Sequence, residues 1–299
     1  MKKVNLQVNR NDSKRFVRLM LIPTLVIMVI MTIYPMLSTV IYSFTDFKLL
    51  KPKISFIAFA NYKELLSNEY FTNAIWITVK FTICAVVFEM LFGLLLALFV
   101  NSIESKLMQK SMRTIVLLPY LLPAVTVALS WRMMLSSNYG IVSQWMTSLG
   151  IPVLNWFSDI RSAFWMLVII DIWQNTPFVF LMLYAALQTV SAEQYKAAMI
   201  DGARTLSTFW YITLPNLKTS LALCALLRTI DSFRIFDKVN LLTGGGPANS
   251  TTTITEYIYK YGIKNLKFGL GSAGALIMTI LVLILSVLYI KRALGNESD

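Results

Sequence analysis

The sequence predicts an all-α membrane protein that crosses the bilayer about six times, with both termini in the cytoplasm. Of its 299 residues, 57% are hydrophobic and only 14% are charged, whereas a soluble domain carries about 25% charged residues. Six apolar runs are each near or above the roughly 20 residues that a helix needs to span a bilayer. The apolar excess therefore indicates contact with lipid rather than a larger soluble core.

The six predicted spans follow one another along the chain and are separated by more polar segments. The first begins at Leu19 and ends at about Phe44, with Pro23 and Pro35 near its ends. The others lie within Thr72–Val100, from about Thr114 to Leu135, from about Ala163 to Leu187, from about Thr219 to Leu242 and from Phe268 to Ile290. The chain then divides into a basic amino terminus at 1–18, one transmembrane domain at 19–292 and a short tail at 293–299.

The distribution of basic residues sets the predicted orientation, because Lys and Arg accumulate in cytoplasmic segments. With the amino terminus inside, the cytoplasmic segments carry fourteen Lys and Arg residues and the opposite segments carry nine. The formal net charge of +12 would suggest nucleic-acid binding in a soluble protein. In a multi-pass membrane protein the basic cytoplasmic segments explain it, so no nucleic-acid partner is expected.

The sequence offers no catalytic or metal-binding set. It contains no His, which excludes Ser-His and Cys-His nucleophile pairs. Its two cysteines, Cys84 and Cys224, lie in apolar runs, which argues against a disulfide framework or a zinc site. The Gly244–Pro247 turn is not followed by the Gly-Lys-Ser/Thr of a nucleotide-binding loop. We therefore expect a chain that is not an enzyme and that binds neither a cofactor nor a metal.

Charges inside the predicted spans indicate either ion pairs or a hydrated cavity, because each costs about 2.5–3.5 kcal/mol at the bilayer centre. In the fifth span Arg228, Asp231, Arg234 and Asp237 alternate in sign at a spacing of three. That spacing brings neighbours within reach on a helix. The four residues are interpreted either as a self-neutralising ladder or as the polar wall of a substrate pathway. Other charges within or near the spans are Lys80, Glu89, Arg132 and Asp171.

Polar side chains in the fourth span extend this candidate pathway. Gln174 and Asn175 offer hydrogen-bond donors and acceptors, and Trp173 and Tyr184 offer flat apolar faces. This combination suits the hydroxyls and the C–H face of a sugar, although interhelical hydrogen bonds explain the same residues. The predicted pathway residues are Asp171, Gln174, Asn175, Tyr184, Arg228, Asp231 and Arg234.

The loop at about 190–217 is the most polar stretch between two long apolar runs. Residues Gln194–Ile200 are good helix formers, and Gly202 is a natural stop because glycine adopts left-handed backbone angles at little cost. A second short helix is expected from Arg204 to Ile212, after which Pro215 begins the next span. The alternative interpretation is a plain connecting loop.

This loop resembles the EAA loop of the inner-membrane permeases of binding-protein-dependent ABC importers. Lys196 replaces the acidic residue that opens the family pattern. A second block, Phe236–Thr253, is similar to the carbohydrate-uptake branch of these permeases, the maltose/glycerol-3-phosphate type. The residues that match the EAA pattern are Ala197, Ala198, Asp201, Gly202, Ala203, Ile212, Leu214 and Pro215.

The resemblance implies one of two related permease subunits of a carbohydrate importer in a bacterial-type inner membrane. The implied partners are membrane lipid, a second permease, an ATPase subunit dimer that binds the ATP, and an extracytoplasmic sugar-binding protein. The resemblance also implies that the loop docks on the ATPase through a helix at about Glu193–Ile200. The expected coupling residues are Glu193, Lys196, Ala197, Ala198, Asp201, Gly202, Leu214 and Pro215.

The substrate expected for such a permease is a neutral oligosaccharide or polyol. An acidic sugar or a glycerophosphodiester is the alternative, because Arg132, Arg228 and Arg234 offer groups that bind anions. A secondary transporter is a further alternative, but it would normally consist of two repeated halves, which the sequence lacks. A membrane scaffold without transport activity is the last, and it would not need charges along one span.

Overall fold

A computed structural model describes the backbone of residues 10–51 and 53–294 and the side chains of 18–51 and 53–291. Residues 1–9 of the basic amino terminus and 295–299 of the predicted tail lie outside the described backbone. Helices dominate the described part of the chain, in which the only extended pairing is a bridge between Thr45 and Phe56. The all-α prediction is confirmed.

Thirteen α-helices lie within the described residues. They are α1 Arg10–Ser43, α2 Ala60–Leu66, α3 Glu69–Asn101, α4 Lys106–Leu117, α5 Ala124–Met134, α6 Ile141–Ser148, α7 Ile160–Leu187, α8 Ala192–Ile200, α9 Thr205–Thr208, α10 Leu214–Phe233, α11 Asp237–Leu242, α12 Ile254–Tyr257 and α13 Phe268–Leu294. A 3₁₀ turn at Leu118–Leu121 extends α4, and π-helical segments at Phe209–Thr213 and Ile258–Lys264 follow α9 and α12.

Four helices of the described residues are long and apolar enough to cross a membrane, and they coincide with the first, second, fourth and sixth predicted spans. They are α1, α3, α7 and α13. The α4 and α5 pair passes the same test as one bent unit, whereas α10 does not. The total of six spans and the cytoplasmic termini therefore remain predictions.

The third predicted span is wrong as a single helix. The chain turns by 90° between the α4 unit, which ends at Leu121, and α5. Leu122 has extended backbone angles of φ −81° and ψ 135°, because the proline that follows it disfavours the α region. Hydropathy is continuous across this break, so the composition did not reveal it.

The fifth predicted span also differs, because α10 ends at Phe233 rather than at Leu242. Residues 234–236 are not helical, and the chain resumes as α11. The hydroxyls of Thr253 and Thr255 donate to the carbonyl of Ile235 within this break. They supply the partner that the interrupted helix cannot provide.

Helices α3, α7 and α10 form the centre of the fold and bury most of the apolar side chains. One cluster around Phe81 and Ile170 lies next to α5 and α11, and a second around Phe180 and Leu217 lies next to α4. Gly93 allows α3 and α7 to approach closely, because a Cβ there would lie 2.5 Å from Cγ1 of Val179. Small residues serve this purpose in membrane helices.

Candidate functional site

A polar cleft of about 250 Å³ lies where the breaks in the third and fifth predicted spans meet α7. The α4/α5 break contributes Tyr120 and Ala124, and the α10/α11 break contributes residues 234–238. Discontinuous membrane helices expose backbone groups that only a polar, protein-lined cavity tolerates. The other polar lining residues are Asp171, Gln174, Asn175, Arg228, Asp231 and Ser232.

Arg228 is the centre of a buried ion network behind this cleft. Its Nε lies 2.7 Å from Oε2 of Glu89, and its Nη2 lies 3.1 Å from Oε1, so the pair is bidentate. The same guanidinium is 3.4 Å from Asp231 and 3.8 Å from Asp171. The Arg228, Glu89 and Asp171 side chains are buried, whereas that of Asp231 is 60% exposed. Charges at such depth persist because they are paired and hydrogen-bonded.

Asp171 links this network to α11. Its Oδ1 accepts hydrogen bonds from Nζ of Lys238, itself buried, and from Nδ2 of Asn175 at 2.9 Å. Its Oδ2 accepts no hydrogen bond within the described residues. Acidic and basic side chains from α3, α7, α10 and α11 are thus joined in one continuous chain of ion pairs.

Gln174 donates a hydrogen bond to the α4/α5 break through one end of its amide, while the other end has no hydrogen-bond partner among the described residues. Its Nε2 donates at 2.8 Å to the carbonyl of Leu122, which the α4/α5 break has freed from helical bonding. Its Oε1 is buried and, in the part of the chain that the structure describes, accepts no hydrogen bond. Buried polar atoms are normally satisfied, so Oε1 of Gln174 and Oδ2 of Asp171 are unsatisfied acceptors just beneath the cleft surface, which a donor would reach only if the cleft widened.

Six of the seven predicted pathway residues line this cleft, and Tyr184 does not. The helical rise puts Tyr184 about 20 Å along the axis from Asp171. It packs against Phe180 in a separate apolar cluster, and the guanidinium of Arg113 lies 5.2 Å from its ring centre. The expectation that Tyr184 clusters with Gln174 is therefore wrong.

The proposed ladder of alternating charges is correct only for its first pair. Arg228 contacts Asp231, but its main partner is Glu89 on another helix. Arg234 is exposed and forms no ion pair among the described residues. The ladder fails because α10 ends at Phe233, which removes the helical spacing on which it depends.

Sequence reasoning missed the roles of Glu89 and Lys238. Apart from Glu69 at its first position, α3 contains two charged residues, Lys80 and Glu89. The rarity of charge inside a membrane marks Glu89 as functional or paired. The sequence did not identify Arg228 as its partner, because the two are 139 residues apart. Lys238 lies near the end of the fifth predicted span, but its charge was counted with the segment that follows the span rather than with the charges inside it.

The glycine-rich block that follows α11 folds around a third buried acid, Glu256. Its carboxylate accepts hydrogen bonds from Asn240 at 3.0 and 3.3 Å, and Nζ of Lys260 lies 3.8 Å away. Gly245 has φ +82°, and a Cβ there would lie 2.4 Å from Oγ1 of Thr252. The block is therefore a fixed turn that leads from α11 to α12.

The 190–217 loop forms the short helix and the glycine turn that the sequence predicts. Helix α8 runs from Ala192 to Ile200, and Gly202 has φ +72°. The predicted second helix differs, because α9 continues through the π-helical segment into α10 without interruption. Pro215 lies in the first turn of α10, directly after the π-helical segment, and so within a continuous helix rather than at a free helix start.

The surface of α8 divides into one buried and several exposed side chains. Lys196, Ala197 and Ile200 are exposed, whereas Ala198 is buried against the rest of the chain. The expectation that both alanines offer their small surface to a partner therefore fails for Ala198. Its neighbour Ala197 keeps that possibility.

These features define a class, a multi-pass α-helical membrane protein with a polar cleft at two helix breaks. Residues 89–294 match the family described as binding-protein-dependent transport system inner membrane component, and the chain belongs to this family. It is a permease subunit of an ABC-type importer rather than an enzyme or a secondary transporter.

Relatives and solved structures agree with this assignment. The chain is 36% identical to the trehalose/maltose transport system permease protein MalF of Thermococcus litoralis, over 91% of this chain and 92% of that protein. It is 34% identical to the sulfoquinovosyl glycerol transport system permease protein SmoG of Agrobacterium fabrum, over 91% of this chain and 88% of that protein. Its fold matches a chain of a bacterial alginate ABC transporter bound to a periplasmic protein, with a TM-score of 0.82 at 24% identity over 94% and 96% of the two chains.

Proposed function

We propose that the chain is one of two permease subunits of a carbohydrate importer and that its cleft lies on the path of a polyhydroxylated solute. The observation that carries this proposal is that the buried charged groups of the cleft are paired, while two of its acceptor atoms are not hydrogen-bonded among the described residues. The buried charges neutralise one another, and Oδ2 of Asp171 lies 3.8 Å from Nη2 of Arg228. Within the described part of the chain, neither this oxygen nor Oε1 of Gln174 accepts a hydrogen bond. Hydroxyl groups are donors of the required kind, and relatives named for trehalose/maltose and for multiple sugars support this reading.

A neutral solute fits the charge balance of the cleft better than an anion. Three acids and three bases line it, so their formal charges cancel. The lining acids are Asp171, Asp231 and Asp237, and the bases are Arg228, Arg234 and Lys238. Neutral mono- or oligosaccharides and polyols are therefore the proposed substrate class.

One observation favours an acidic sugar as the second candidate. Arg234 is exposed at the cleft and unpaired among the described residues, whereas Arg132 donates at 2.8 Å to the carbonyl of Leu241 and Arg228 is held by Glu89. A guanidinium without a partner suits a carboxylate or sulfonate. A relative is named for sulfoquinovosyl glycerol. Arg234→Gln should abolish uptake of an acidic sugar and leave uptake of a neutral one nearly unchanged.

The proposal extends to the partners that such a permease requires. The α8 loop is proposed to dock on an ATPase subunit, which binds the ATP, and a second permease completes the membrane part. An external sugar-binding protein delivers the solute, as the family description implies. Both termini and the α8 loop are proposed to lie in the cytoplasm of a bacterial-type cell.

The experiment combines purification with growth. The tagged chain, extracted from its own membrane, should co-purify with an ATPase subunit, and a strain without the chain should lose growth on one or a few carbon sources from a panel. Asn175→Ala, which removes a cleft amide, should reduce the corresponding uptake, whereas Ile169→Ala, an exposed apolar residue of the same helix, should not. Purification without any ATPase, or normal growth on every sugar after deletion, would refute the proposal.

A further inference from the structure

We infer that α10 transmits the movement of α8 to the polar cleft. Gln194 and Tyr195 are the positioning residues that attach α8 to the start of α10. This inference rests on the proposed coupling function of the loop. It names the residues through which that coupling would pass inside the chain, and it requires contacts at both ends of one continuous element.

The continuous element is the rod formed by α9, the π-helical segment and α10, from Thr205 to Phe233. Its first part lies beside α8, and its last turns supply Arg228 and Asp231 to the cleft. A rise of about 1.5 Å per residue separates Thr213 from Arg228 by about 22 Å along the axis. A displacement at the base of this rod therefore reaches the ion network without passing through a loop.

Two side-chain hydrogen bonds tie α8 to the base of the rod. Oη of Tyr195 lies 3.1 Å from Oγ1 of Thr213, which is buried. Nδ2 of Asn216 donates at 3.0 Å to Oε1 of Gln194 and at 2.7 Å to the carbonyl of Ile212. Both bonds join α8 to the junction between the π-helical segment and α10.

Apolar packing contributes little to the attachment of α8. Ala198 is the only buried residue of this helix. A cavity of about 730 Å³ lies between α8, the end of α3 and the π-helical segment, with Tyr195 and Thr213 in its lining. Since the space beneath α8 is not filled by side chains, the two hydrogen bonds define where α8 sits relative to the rod.

The π-helical segment gives this junction a way to change register. A π turn contains one residue more than an α turn, and such turns recur at functional sites. The carbonyl of Ile212, within the segment, is held by the side chain of Asn216. A shift of α8 that pulls on Asn216 and Thr213 would therefore act on the one irregular turn of the rod.

The test measures whether nucleotide changes the cleft when these bonds are absent. In the co-purified complex, with Cys84→Ala and Cys224→Ala as background, the reporter Asp237→Cys is labelled with a membrane-impermeant maleimide. Labelling rates are compared without nucleotide and after trapping with MgATP and orthovanadate. With the native α8 loop, we expect nucleotide trapping to change the labelling rate about fivefold, which is the lower end of typical coupling. We expect this change in rate to be lost when Tyr195→Phe is combined with Asn216→Leu.

Matched substitutions separate hydrogen bonding from packing. Thr213→Val keeps the shape of the side chain and removes its hydroxyl, so it should reduce the nucleotide response, whereas Thr213→Ser should preserve it. Tyr211→Phe removes an exposed hydroxyl of the same π-helical segment and should leave the response intact. Basal ATPase activity, subunit composition and the thermal midpoint should be equal in all of these complexes.

Three outcomes would overturn the inference. A normal nucleotide response in the Tyr195→Phe and Asn216→Leu combination would show that another contact transmits the movement. Loss of the ATPase subunit from that variant would show that these side chains maintain the docking surface instead. If the native loop shows no nucleotide response, the proposed coupling function itself fails, and the inference fails with it.

Discussion

The Arg228–Glu89 pair allows the contribution of the buried network to stability to be predicted. Arg228→Met leaves Glu89, which is 0% exposed, without any ion-pair partner among the described residues. Breaking a buried pair in this way costs about 3–5 kcal/mol, because one charge remains buried and uncompensated. The variant complex should therefore unfold at a clearly lower denaturant concentration than the native one.

The reverse change should cost less. After Glu89→Gln, Arg228 keeps Asp231 at 3.4 Å and Asp171 at 3.8 Å, and the new amide oxygen still accepts a hydrogen bond. The expected loss is about 1.5–3 kcal/mol, the contribution of hydrogen bonds to a charged group. Combining Glu89→Met with Arg228→Met removes both charges and should be less damaging than Arg228→Met alone.

The assay is unfolding of the purified complex by SDS in mixed micelles, followed by tryptophan fluorescence, with all four members of a double-mutant cycle. The Asp231→Asn variant is the matched control, because its side chain is 60% exposed and an exposed pair contributes about 1 kcal/mol or less. Additive effects of the two Met substitutions, or an Arg228→Met complex as stable as the native one, would refute the reasoning.

Three further predictions concern backbone and loop positions. Gly202→Val should reduce ATPase stimulation and transport, because φ of +72° costs a residue with a Cβ about 1–2 kcal/mol. Gly202→Asn should be tolerated, so equal activity of the two variants would contradict this prediction. Ala198→Glu should lower the thermal midpoint of the complex, because the site is buried. Ala197→Glu should keep that midpoint but lose the ATPase subunit during purification. The opposite pattern would show that the buried and exposed faces of α8 are assigned the wrong way round. Gly245→Ala should destabilise the turn between α11 and α12 by about 1–3 kcal/mol through strain. Faster proteolysis of the complex would measure this loss, and unchanged proteolysis would show that glycine is not required there.

Apolar composition predicted α1, α3, α7 and α13 well, because a bilayer demands about 20 apolar residues from any helix that crosses it. It failed at the breaks, where the same residue type has two outcomes. Pro215 lies in the first turn of α10 and fits the helix, whereas Pro123 forces Leu122 out of the helical region and bends the chain. The position of a proline relative to the helix decides between these outcomes, and a hydropathy profile does not record that position.

The candidate site was predictable in its residue types and not in its pairings. Charges at Asp171 and Arg228 must be paired or hydrated inside a membrane, and the structure places both at one cleft. The choice of Glu89 over Asp231 as the main partner of Arg228 depends on where α3 lies and where α10 ends. Both follow from tertiary packing, which local spacing along one helix cannot reveal.

The two helix breaks explain why polar residues gather at this cleft at all. Each break frees a backbone carbonyl, at Leu122 and at Ile235, and each carbonyl takes a side-chain donor, from Gln174 and from Thr253. A residue that caps a break is held in one orientation, so its remaining polar atom is held as well. The Oε1 of Gln174 is thereby fixed beside the cleft by the bond that its own Nε2 makes to the fold. Under the proposed function, one end of this amide would bind the broken helix and the other end would accept a hydrogen bond from a hydroxyl group of the solute.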